Sequence, residues 1–215
     1  MPANELWDIV ACTLLVSGTA VAISSVIGVP LGVVLGLAKL PGRGVILAIV
    51  QTGMALPPVV VGLAVYLLLS RSGPLGAWGW LFTPRAMILA QVVLSLPFVI
   101  GIIVHAIESL PAELPGQIRA LGATTRQLHW TLVGEARAGV MLAIATAFSR
   151  SISEVGAVLL VGGNIKGHTR VLTTAIILET SRGAFAFAIA LGAVLLSLAL
   201  AANLLMIRWL RRAPR

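Results

Sequence analysis

The sequence predicts an all-α integral membrane protein with about five transmembrane helices, the amino terminus outside and the carboxy terminus cytoplasmic. Composition is the first observation: 59% of residues are hydrophobic, 10% are charged and the mean hydropathy is +1.05. A soluble domain has roughly 45–50% apolar and 25% charged residues. Length is the second, because several apolar runs reach the roughly 20 residues that cross a hydrocarbon core of about 30 Å. The third is the placement of basic residues, which the cytoplasmic side of a membrane protein collects.

Composition also excludes function classes. Fifteen Lys and Arg against seven Asp and Glu would suit nucleic acid, but basic stripes interleaved with aromatics are absent, so no nucleic-acid partner is expected and lipid is the medium. Cys12 is the only cysteine, which leaves no disulfide framework and no zinc-ligand spacing. No convergent His, Asp or Cys set suggests a membrane enzyme, and no metal site is expected. Glu5 and Asp8 stand where a signal peptide has basic residues. The apolar run after them is too long for a signal core, so it is expected to remain as the first span.

Span one covers about 9–37 and carries Ser17, Gly18, Gly28, Gly32 and Gly36, small residues that let helices approach closely in lipid. The stretch KLPGRG at 39–44 is a tight inner turn, with Pro41 and Gly42 as helix breakers. Span two, about 45–69, contains Pro57 and Pro58. An interior proline loses a backbone hydrogen bond that lipid does not replace, so this helix is expected to kink and to face protein or a water-filled path. A packing kink without substrate contact is the plainer alternative. Trp78 and Trp80 in the Gly- and Pro-rich stretch 70–85 fit an outer aromatic belt. Span three is about 86–107, span four about 138–161 and span five about 184–207. Residues 171–180 are too few to cross and are expected to form a short helix or re-entrant segment at the outer surface. With these spans, nine basic residues fall on inner segments, Lys39 and Arg215 among them, and five on outer ones (Arg71, Arg85, Lys166, Arg170 and Arg182).

The polar stretch at about 111–137, PAELPGQIRALGATTRQLHWTLVGEAR, interrupts the membrane-like segments. Leu114, Ile118 and Leu121 recur at helical spacing and predict one apolar face. Gly122 suits a helix end that needs a left-handed residue. Thr124 followed by Gln127 has the pattern of a capping box for a second helix through Leu128 and Leu132. A helix, a glycine break and a helix either lie on the bilayer or dock on a soluble partner. His129 is expected to pack rather than to hold a metal.

Arg150 and Glu154 lie one helical turn apart in span four. Opposite charges within lipid are costly singly, so they are expected to pair. A structural ion pair, a gate element and a proton relay are all compatible with that spacing. Ser149, Ser151 and Ser153 are candidates for hydroxyl donors to a passing anion, although serines in membrane helices commonly bond back to their own backbone. Asn164, Lys166, His168 and Arg170 lie in an outer loop. Lys166, His168 and Arg170 either lend its mouth positive charge, touch a soluble partner or are merely solvated.

IRALGATTRQ, followed by GEARAG, resembles the cytoplasmic-loop signature of ABC importer permeases. Arg119, Ala120, Leu121, Gly122 and Ala123 match it, with Thr124 next in line. Gly116, Gln117 and Ile118 depart from its acid and two alanines, and Gly134 stands where proline is common. LPPVVVGLAVYLLLSRSGPLG, LFTPRAMILAQ and SRSISEVGAVLLVGGNIKGHTRVLTTAI further resemble permeases for tungstate and molybdate, the tungstate type above all. The resemblance implies a type I importer permease fold in a prokaryotic cytoplasmic membrane. It implies a homodimer around the path, because five spans do not enclose one alone. It also implies two ABC ATPase subunits gripping the inner loops and a soluble tungstate- or molybdate-binding protein outside. The chain has no GxxxxGK[ST] motif, so ATP and magnesium belong to the ATPase and the chain itself needs no cofactor. The alternative is a self-contained secondary transporter that uses Arg150 and Glu154 to couple an ion, although such folds commonly show two repeated halves.

Overall fold

The computed structural model describes residues 3–37 and 41–212. Lys39 and Arg215 lie outside the described residues. Among the described residues there are ten α-helices, in order: α1 (Ala3–Leu37), α2 (Arg43–Met54), α3 (Pro58–Leu69), α4 (Pro84–Glu108), α5 (Leu114–Ala120), α6 (Thr125–Glu135), α7 (Arg137–Ile152), α8 (Gly156–Gly162), α9 (Leu172–Ser181) and α10 (Phe185–Arg212). No strand occurs among the described residues. Within α1, α4 and α10, stretches of 33, 25 and 22 residues are long and apolar enough to cross a membrane.

The centre of the fold is α4, which packs against α1, α2, α3, α7 and α8. Its partner α1 meets it along a seam of small residues. A β-carbon added at Gly28, Gly32 or Gly36 would stand 2.8, 2.7 or 2.9 Å from Val99, Ile103 or Ile107. Three glycines spaced by four therefore form a groove that takes three β-branched side chains of α4, and the gain is van der Waals contact. At one end, Arg43 pairs with Glu108 and its Nε donates to the Leu35 carbonyl at 2.8 Å. This fastens the α1–α2 turn to the last turn of α4.

Two expected spans are broken. The segment at 45–69 is α2 and α3, bent by 98°, which exceeds a kink. Pro57 is extended (φ −65°, ψ 125°) and Pro58 opens α3 at its first turn. The second proline forces the residue before it out of the helical region, and its own missing N–H costs nothing at a helix start. Gly53 lets α2 rest on Pro97 of α4, with an added β-carbon 2.8 Å from the proline ring.

The segment at 138–161 likewise consists of α7 and α8, separated at Ser153–Val155. The expected short helix at 171–180 is α9. Its first residue, Leu172, donates its N–H to Thr13 Oγ1 of α1 at 2.9 Å, and Thr13 Oγ1 donates in turn to Ile9 O at 2.7 Å.

Candidate functional site

The loop between α4 and α7 is the first candidate region. As expected, it is helix, glycine, helix. Gly122 adopts φ 82°, a conformation that costs other residues roughly 1–2 kcal/mol, and it turns the chain between α5 and α6. The capping box is complete: the Gln127 N–H donates to Thr124 Oγ1 at 3.3 Å and the Thr124 N–H to Gln127 Oε1 at 2.8 Å. Ile118, Leu128 and Leu132 are buried with Ile103, Ile107 and Ala136, so the loop has its own anchorage on the helix bundle.

The expected apolar face of Leu114, Ile118 and Leu121 is not continuous. Ile118 is buried, whereas Leu121 is 88% exposed. The helix ends at Ala120, and Leu121 is the capping residue (ψ 6°) before the left-handed glycine, so its side chain departs from the helical stripe. Arg119, Ala120, Leu121 and Gly122 thus form an exposed elbow with Leu121 at its tip. Trp130, 67% exposed, stands on α6 nearby in sequence.

The second region is the break between α7 and α8. The expected Arg150–Glu154 ion pair does not occur among the described residues. The reason is local: α7 ends at Ile152, so the one-turn spacing no longer places the two side chains on a common face. Glu154 is buried, and its Oε1 accepts from the Ala157 N–H at 3.0 Å in the first turn of α8. Its carbonyl accepts from Thr173 Oγ1 at 2.9 Å. A carboxylate on the orphan N–H groups of a helix start is favoured by charge and by hydrogen bonding.

Arg150 instead lies over the Phe98 ring, with Cζ 4.6 Å from the ring centroid, a cation–π arrangement. Its Nε is buried and has no hydrogen-bond partner among the described residues. A concavity of about 490 Å³ opens beside it, lined by Phe98, Thr146, Ser149, Ser153 and Asn203 among others. Ser153 does bond back to its own backbone, donating to Ser149 O and Arg150 O at 2.9 and 3.1 Å. Ser149 accepts from Asn203 Nδ2 at 3.1 Å. Ser151 faces away into the core, where Ser151 Oγ donates to Gln91 Oε1 at 2.7 Å and Gln91 Nε2 to Ser151 O at 3.0 Å.

Pro57 and Pro58 sit at the α2–α3 break, and α3 packs on α8. Gly156 approaches Val59 so closely that an added β-carbon would stand 2.7 Å from its Cγ2. The two broken segments therefore meet beside their breaks. Phe98 and Asn203 carried no sequence signal as site residues. An aromatic and an amide within apolar helices look like packing until their neighbours are known.

The loop between α8 and α9, expected on the outer side, is neither free nor merely solvated. Lys166 Nζ lies 3.0 Å from Glu5 Oε2, and Arg170 Nη1 lies 3.7 Å from Glu5 Oε1. Arg170 Nε also donates to Asn164 Oδ1 at 3.2 Å. Glu5 thus offsets part of the positive charge of this loop and ties the start of α1 to residues 164–170.

Residues 28–213 match the family described as the binding-protein-dependent transport system inner membrane component. The chain is 45% identical over 214 residues to a probable anion ABC transporter permease protein of Haloferax volcanii, covering 97% of this chain and 92% of that one. It is 40% identical over 199 residues to the tungstate uptake system permease protein of Peptoclostridium acidaminophilum, covering 93% and 87%. A solved structure of the MetNI methionine ABC transporter, inward-facing, superposes with a TM-score of 0.78 at 20% identity, covering 99% of this chain and 95% of that one. That likeness establishes the type I ABC importer permease fold. With its apolar helices, glycine-turned loop and family match over residues 28–213, this chain is a multi-pass membrane protein that belongs to the binding-protein-dependent transport system inner membrane components.

Proposed function

We propose that this chain is the membrane-spanning subunit of an ATP-driven importer for tetrahedral oxyanions, with tungstate as the cargo and molybdate as the near competitor. Two copies form the path at a twofold axis. Two ABC ATPase subunits hold the inner loops and hydrolyse ATP with magnesium, and a soluble anion-binding protein delivers the cargo from outside. The amino terminus is outside, the five spans include both broken segments, and residues 111–137 lie in the cytoplasm. Nucleotide-driven closure of the ATPases turns the path outward, and hydrolysis resets it.

The observation that carries this reading is the exposed elbow at Arg119–Gly122, anchored by Ile118, Leu128 and Leu132 yet presenting Leu121 outward. A rigidly mounted apolar tip transmits a push from a partner to α4 and α7, which flank the loop. The choice of cargo is supported by the tungstate and anion permeases to which the chain is similar over most of its length. An ion-coupled transporter would draw on an Arg150–Glu154 pair, whereas Glu154 is occupied at the start of α8.

The test is tungstate and molybdate uptake into vesicles holding this chain, with and without its ATPase, its binding protein and internal ATP. Uptake that needs all three supports the importer. Uptake by the chain alone, driven by an ion gradient, overturns it.

A further inference from the structure

Among the described residues the guanidinium of Arg150 has no ion-pair partner, and its buried Nε has no hydrogen-bond acceptor. An uncompensated cation between apolar helical segments is costly, and where one persists it marks a functional site. Glu154, the carboxylate four residues on in the sequence, is committed to the Ala157 N–H. Among the described residues no acidic side chain lines the concavity beside Arg150. The Phe98 ring supports the cation from one side but offers no hydrogen-bond acceptor.

An inventory of the lining groups gives the class of ligand. The Asn203 amide spends its hydrogens on Ser149 Oγ and on Ala199 O. Ser153 spends its hydroxyl hydrogen on the backbone. The hydroxyl hydrogens of Ser149 and Thr146 have no acceptor among the described residues. The Arg150 fork adds up to five N–H groups. The concavity therefore holds one positive charge and a surplus of donors, and it is open enough to exchange its contents.

We infer that Arg150, with the Ser149 and Thr146 hydroxyls, forms an intramembrane binding site for a doubly charged tetrahedral oxyanion. Phe98 holds the guanidinium in place, and Asn203 orients Ser149 by occupying its lone pair so that its hydrogen points elsewhere. A single charge with neutral donors holds such an anion weakly, as a path that must release its cargo requires. This site rests on the reading of the chain as an oxyanion permease. The same chemistry also fits a phosphate headgroup of an anionic lipid, so the two sources are separated in the test.

The experiment uses the permease–ATPase complex in phosphatidylcholine nanodiscs without binding protein, and measures equilibrium tungstate binding both nucleotide-free and ATP-trapped. The expected result is binding in at least one state, weakened tenfold or more by Arg150→Gln, a few-fold by Ser149→Ala, and partly restored by Arg150→Lys. Uptake by the same variants is measured alongside in vesicles supplied with the binding protein and internal ATP. Unchanged binding and uptake in Arg150→Gln, at unchanged melting temperature, overturn the site while leaving the importer standing. Absence of tungstate binding in both states of the unmodified complex, with uptake intact, does the same. Phosphatidylglycerol retained by the unmodified protein, lost from Arg150→Gln and not displaced by tungstate, assigns the site to lipid and overturns it as a cargo site. Absence of ATP-driven uptake by the unmodified complex strikes the importer reading instead.

Discussion

Gln91 and Ser151 exchange two hydrogen bonds between α4 and the last turn of α7, and both are buried. Gln91→Leu removes the partner of a buried hydroxyl and of a carbonyl near a helix end, which costs about 1–3 kcal/mol. A lower melting temperature of the solubilised chain is expected. Adding Ser151→Ala to that variant is expected to recover part of the loss, because one orphaned polar group then disappears. Gly139 is tighter still: a β-carbon there would collide with the Ala106 β-carbon of α4. Gly139→Val is therefore expected to force α7 from α4 at a cost of about 1–3 kcal/mol, read in the same melting assay.

At the scale of elements, the loop 111–137 was legible because its signals are local. A capping box is a sequence of four residues, and a left-handed helix end calls for glycine wherever it occurs. Thr124→Ala is expected to loosen α6 by about 0.5–2 kcal/mol. Gly122→Val is expected to strain the elbow. Leu121→Asp changes no buried contact, since Leu121 is 88% exposed, yet it places a charge on the tip. All three chains should insert normally, and Leu121→Asp and Gly122→Val should lose co-purification with the ATPase and lose uptake. Normal co-purification by Leu121→Asp would remove the elbow as the docking point. The breaks within the two interrupted segments were less legible. Adjacent prolines at 57 and 58 signal a disruption, but a 98° bend also needs Gly53 and Pro97 to accept α2 against α4. Between α7 and α8 there is no proline at all. The break there is held by Thr173 from α9 and by Glu154 turning onto the next helix.

The whole chain leaves large apolar faces uncovered. In the apolar window of α10 only 11% of residues are buried, so lipid or a second copy must cover the rest. A solubilised mass of twice 22.3 kDa by light scattering is the expected result, and a monomer in mild detergent would remove the dimer. Topology is open to single-cysteine labelling once Cys12, the only cysteine, is replaced by serine. In that background Lys166→Cys is expected to react with an impermeant reagent added outside, and Arg126→Cys only after the vesicles are opened. The reverse pattern would invert the proposed orientation.

The sequence by itself determined that the chain is helical and membrane-embedded, because apolar composition and run length depend on no distant contact. It determined the helix–glycine–helix loop for the same reason. Only the tertiary structure decided which charged groups meet. Spacing put Arg150 and Glu154 on one helical face, but that inference holds only while the helix continues, and α7 stops at Ile152. Glu154 then finds the start of α8, Arg150 finds Phe98 on α4, and Asn203 of α10 reaches Ser149. Such partners are brought together by packing between helices far apart in the chain, and local periodicity carries no record of them.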